Sequence, residues 1–166
     1  MAVQLLLLLV SFVLAEGSSC PSAFQEVGPV GCCYYFSADF GHEVDWQEAR
    51  DSCHELGEIV GKKSDLAEVG RSGNPCCNDL ELMDLIRSKG QDTWLGASDS
   101  VKEDRWVWQQ SQEVLPLTSS TWKEDRPNGG TASNCLLAGP WGSYHSRVYF
   151  YDNHCEYNAA FICQIF

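Results

Sequence analysis

Nine cysteines constrain this chain more than any other feature, and all of them lie from Cys20 onward. They follow an apolar run, Leu5–Ala15, of about eleven residues, the length of a signal-peptide core. A membrane-spanning helix needs ~20. Val13 and Ala15 are small residues at the spacing a signal peptidase accepts, so residues 1–15 are expected to be removed and the rest to work outside the cell. In that oxidising compartment cysteines form a disulfide framework before they serve as metal ligands. Nine is an odd number. At least one thiol therefore stays free, is capped, or bonds a second chain as a disulfide-linked dimer.

The 166 residues suit one domain of ordinary size, taken here as residues 16–166. A formal net charge of −12 argues against nucleic acid and anionic lipid as partners, because both demand a basic surface.

Local signals give the order of elements. In Cys20–Ser37 cysteines flank a Gly-Pro turn ahead of Tyr34-Tyr35-Phe36, which reads as a small disulfide-closed hairpin. Asp45-Trp46-Gln47-Glu48 is a capping-box pattern, and Trp46, Ala49, Cys53 and Leu56 recur at helical spacing until Gly57. Cys53 thus sits on the buried face of a first helix. Glu58–Cys77 reads as a long loop. Asn78-Asp79-Leu80-Glu81 opens a second helix that carries Leu82, Leu85 and Ile86 and ends at Gly90, with Arg87 and Lys89 suited to its C-terminal dipole. Short strands are expected at Thr93–Gly96, Arg105–Trp108, Asn134–Leu137, Val148–Tyr151 and Phe161–Ile165. Helices early and strands late make an α+β domain. Trp94, Trp106, Trp108 and Trp122 are assigned to its core.

This ordered set resembles the C-type lectin-like domain. It comprises Cys20-Pro21, Cys33-Tyr34-Tyr35-Phe36, the Cys53 helix, Trp94-Leu95-Gly96, Trp106-Val107-Trp108, Trp122, Arg126-Pro127-Asn128, Asn134-Cys135, Cys155 and Phe161-Ile162-Cys163. The match is to the long form with an N-terminal hairpin, most like the small secreted single-domain lectins of invertebrates. The resemblance implies two helices, short antiparallel strands and a long disulfide-pinned loop region. It also implies the pairs Cys20–Cys33, Cys53–Cys163 and Cys135–Cys155. Cys32, Cys76 and Cys77 lie outside that pattern; Cys32 bonded to Cys76 or Cys77 would tether the long loop to the hairpin.

Lectins of this family hold sugar through Ca²⁺, an ion that takes six to eight oxygens, several of them carboxylates. Here the resemblance puts Arg126, Asn128, Ser133, Tyr151 and Asp152 at the five ligand positions, and only Asn128 and Asp152 have the expected side chains. Arg126 has no acceptor atom and a permanent charge. At ~4 Å a +1 and a +2 charge repel by about 2 kcal/mol in water and about 8 kcal/mol at an effective dielectric of 20. Calcium is therefore doubtful there. Asp99 and Glu103 match the acidic pair of the family's auxiliary calcium site, with a solvated acidic loop as the alternative. Arg126 offers a donor fork for a carboxylate, sulfate or phosphate on a microbial glycan, or else pairs with Glu124, Asp125 or Asp152. Trp141, Tyr144 and His145 lie in the loop between Cys135 and Cys155, where an aromatic ring can stack on a sugar or pack on the core.

No nucleophile–base spacing stands out, and the four histidines are scattered, so no enzymatic role is expected. The resemblance implies a secreted carbohydrate-binding lectin recognising microbial surface glycans in innate immunity. The alternative is a lectin-like module that has lost sugar coordination and binds a protein partner.

Overall fold

A computed structural model of the chain describes residues 20–28, 31–70, 79–141 and 147–166, the side chains of Asp79 and Trp141 excepted. The expected leader, Cys76, Cys77, the Asn78 cap, Tyr144 and His145 lie outside the described residues.

Strand β1 (Gln25–Val27) and strand β2 (Cys32–Phe36) form the entrance hairpin, closed by the Cys20–Cys33 disulfide. Helix α1 (Trp46–Val60) begins at Asp45, whose carboxylate accepts the backbone N–H of Glu48 at 2.8 Å, as the capping box requires. The helix does not stop at Gly57. A Cβ on that glycine would lie 2.7 Å from the Lys62 carbonyl and 2.8 Å from Ser64 Cβ, so its role is close packing within the helix. Gly61, with φ +65°, supplies the left-handed cap one turn later.

That tight contact leads into strand β3 (Ser64–Leu66), which occupies part of the expected loop. All three of its residues are buried, and a three-residue strand has too short a period to be read from sequence. Helix α2 (Asp79–Lys89) buries Leu82 and Ile86 and ends with Arg87 and Lys89 in its last turn.

The remaining strands are β4 (Thr93–Ser98), β5 (Val107–Trp108), β6 (Cys135–Trp141), β7 (Arg147–Asn153) and β8 (Ala160–Ile165). The sheet order is β1-β2-β8-β4-β6-β7, with β3 also on β8 and β5 also on β4. Pairing is antiparallel except between β4 and β8. The sheet is therefore mixed rather than purely antiparallel. Strand β5 is two residues shorter than expected, and β6 runs four residues past Leu137.

β8 is buried through Gln164 because neighbours flank it on both edges and α1 lies against it. The Cys53–Cys163 disulfide fastens α1 to β8 across a separation of 110 residues. On the chain-entropy estimate a loop of that length contributes about 5 kcal/mol. Trp94, Trp106, Trp108 and Trp122 are all buried, and the Trp106 and Trp122 rings meet edge-on at 5.2 Å. Cys32 is disulfide-bonded as well.

Candidate ligand-binding site

The β6–β7 hairpin carries the site at one of its ends. Cys135 opposes Asn153 and Leu136 opposes Asp152, and the Cys135–Cys155 disulfide pins this end shut. Facing it is the turn Arg126–Gly129, whose Arg126–Pro127 peptide bond is cis, followed by a single 3-10 turn at Gly130–Ala132. The backbone hydrogen bond from Lys123 N–H to the Phe150 carbonyl ties the stretch before this turn to β7.

Asp152 is the centre of the arrangement. Its side chain has no exposed surface, yet its carboxylate is fully engaged. Oδ1 accepts from Arg126 Nη1 at 3.0 Å; Oδ2 accepts the backbone N–H groups of Asn128 at 3.1 Å and Gly129 at 2.6 Å. Nη1 also reaches the Asp152 carbonyl at 3.3 Å. The alternatives for Arg126 are thereby resolved in favour of Asp152. Among the described residues no ion pair joins Arg126 to Glu124 or Asp125, both exposed.

Gly129 explains how the loop comes so close. A Cβ there would lie 2.3 Å from both Cβ and Oγ of Ser133 and 2.7 Å from Asp152 Oδ2. Ser133 is buried beneath the turn, whereas Asn128 is exposed and Arg126 partly so. Asp152 and Ser133 therefore support the surface that Arg126 and Asn128 present, and neither reaches it.

These residues do not fit a bridging calcium ion. The ion needs carboxylate and amide oxygens with lone pairs free to converge on it. Asp152 has already given its oxygens to a guanidinium and two N–H groups, and Arg126 brings a positive charge to the same spot. The backbone of Gly129 and the short Ser133 side chain fill the space a longer acidic side chain would need.

The auxiliary set is thin as well. Asp99 is buried, with Oδ2 accepting from Asp104 N–H at 3.1 Å and Oδ1 without a hydrogen-bond partner. Burial pushes the Asp99 carboxyl up to about 6, and the nearby charges of Glu103 and Asp104 push in the same direction. Glu103 itself is exposed, and Asn134 turns its amide to the Thr131 carbonyl. Among the described residues no group of three or more His, Cys, Asp or Glu could hold a metal ion.

Of the expected aromatic residues only the backbone of Trp141 is described. Trp141 opposes Arg147 at the far end of the β6–β7 hairpin, five residues along β6 from Leu136. At ~3.3 Å per residue its backbone lies about 17 Å along the strand from Leu136, the residue opposite Asp152.

The family model described as "Lectin C-type domain" matches residues 42–165. "C-type lectin mannose-binding isoform" of Notechis scutatus scutatus is 25% identical over 163 residues, spanning 98% of this chain and 94% of the relative. "C-type lectin domain family 3 member A" of Homo sapiens is 26% identical over 138 residues, which is 80% of this chain but 58% of the human protein. The chain thus spans under two thirds of that relative's length. Among solved structures, C-type lectin CEL-I from Cucumaria echinata superposes with a TM-score of 0.65 at 18% identity, covering 89% of this chain and 98% of that one.

Proposed function

The chain belongs to the C-type lectin domain family, and on that premise we propose that it is a secreted lectin that binds carbohydrate on microbial surfaces as part of innate immunity. The family is one of binding domains rather than enzymes. The leader-like run at Leu5–Ala15 and the disulfide framework support an extracellular setting. Among the described residues no helix is long and apolar enough to cross a membrane. A relative named for mannose binding aligns along nearly the whole chain, which supports a sugar ligand.

One observation carries the reading. Arg126 and Asn128 are presented at the surface on a turn held from below by Asp152, at the family's ligand position. Asp152 and Ser133 act in this reading as the platform. A glycan array probed with the refolded chain, once with calcium and once with EDTA, tests it. Hits above background in either buffer are expected, and an array blank in both removes the lectin reading.

The committed state of Asp152 favours a second reading, a lectin-like module that binds a protein partner. Its signature is a captured ligand whose binding survives complete enzymatic deglycosylation.

A further inference from the structure

Arg126 is used on one side only. Nη1 holds Asp152, whereas Nε and Nη2 make no hydrogen bond among the described residues, and 27% of the side chain is exposed. The buried carboxylate fixes the guanidinium, so its outward donors are pre-organised and cost little entropy to use. Both Asp152 oxygens are buried and already turned to these donors. The site can therefore recognise a ligand by giving hydrogen bonds, and it cannot bridge two sugar hydroxyls through a coordinated ion.

We propose that Arg126 is the resident cation of this site and that its Nε–Nη2 edge selects acidic sugars through the carboxylate of a uronic acid. The proposal rests on the lectin reading above. Two parallel N–H groups in a plane match the two oxygens of a carboxylate, whereas a hydroxyl or an ester carbonyl engages only one of them well. The exposed neighbours Glu124 and Asp125 and the net charge of −12 oppose any loose uptake of polyanions. Binding of an acidic polysaccharide by this chain would consequently report a specific contact rather than ion-exchange behaviour.

The test uses polygalacturonate and its fully methyl-esterified form, a matched pair that differs only in the carboxylate, with the whole chain in EDTA. Expected are binding to the acid form, at least tenfold weaker binding to the ester, and a loss of at least tenfold on Arg126→Gln. Arg126→Lys should lose nearly as much, because one ammonium cannot both hold Asp152 and offer a planar fork. Near-UV circular dichroism checks that each variant is folded. If neither variant folds, the acid–ester comparison on the parent chain still decides.

Equal binding of acid and ester, retention of affinity in a folded Arg126→Gln variant, dependence on calcium, or no binding of polygalacturonate would each overturn the proposal. Neutral-sugar hits on the array without acid preference would overturn it alone and leave the lectin reading intact. An array with no hits of any kind would take both.

Discussion

The Arg126–Asp152 pair should behave as a coupled unit, and its coupling energy can be worked from the geometry. At 3.0 Å, two unit charges attract by about 5.5 kcal/mol at an effective dielectric of 20. Part of this is offset because Asp152 has been taken fully out of water, although two backbone N–H groups compensate it. A net coupling of about 2–3 kcal/mol remains, in the range of a charge-assisted hydrogen bond. The perturbation is a double-mutant cycle of Arg126→Gln, Asp152→Asn and both together. In Asp152→Asn, whichever way the amide turns, one of its N–H groups meets another donor, either Arg126 Nη1 or the Asn128 and Gly129 N–H groups. In the double variant, the introduced glutamine carbonyl can accept from the introduced asparagine amide. The single variants should each cost about 2–4 kcal/mol, and the double should cost about 2–3 kcal/mol less than their sum. Urea denaturation at pH 7 with disulfides intact measures all four proteins. Most of the coupling should persist at high salt, because the Asp152 end of the pair is fully buried. Costs that add to within 0.5 kcal/mol, roughly the scatter of independent sites, would refute the reasoning.

Three further outcomes are expected. Gly129→Ala should destabilise the fold by about 1–3 kcal/mol, since its Cβ would overlap Ser133 and crowd Asp152, and Ser133→Gly added to it should recover part of the loss in the same urea assay, the contact with Asp152 remaining. Replacing Cys53 and Cys163 together by Ala should cost about 5 kcal/mol by chain entropy, against about 3 kcal/mol for opening the 13-residue Cys20–Cys33 bridge, and should lower the melting temperature more. Asp99 has a folded-state pKa raised above its unfolded value, so the folded state holds the extra proton between about pH 4 and about 6 and stability falls as pH rises through that window. Asp99→Asn removes this slope. In EDTA its stability relative to the parent should improve by about 1–3 kcal/mol between pH 4 and 7.5, and parallel pH profiles would contradict the assignment.

Much of the architecture is legible because its determinants are local or covalent. The capping box at Asp45–Glu48, the stripe that includes Cys53, the terminal glycine at Gly90 and the four tryptophans each announce their role within a few residues. The ordered cysteines carry the rest, since their number and spacing leave a recognisable pattern in the chain. β3 leaves no such local mark because its burial comes from α1 and β8. Gly57 reads as a helix stop because the atoms that require it, in Lys62 and Ser64, meet it only in the fold.

The site divides the same way. That Arg126 departs from a calcium ligand set is plain from its chemistry, since a guanidinium has no lone pair to give. Its partner could not be chosen from sequence, because Glu124 and Asp125 are adjacent while Asp152 lies 26 positions away. Only the register of β7 against β6, and the approach that Gly129 permits, bring that carboxylate under the turn. The same register carries Trp141 to the opposite end of the hairpin. Residue types determined what this surface can donate or accept; long-range strand pairing decided which of those groups meet, because proximity across a sheet is set by hydrogen-bonded partners distant in the chain.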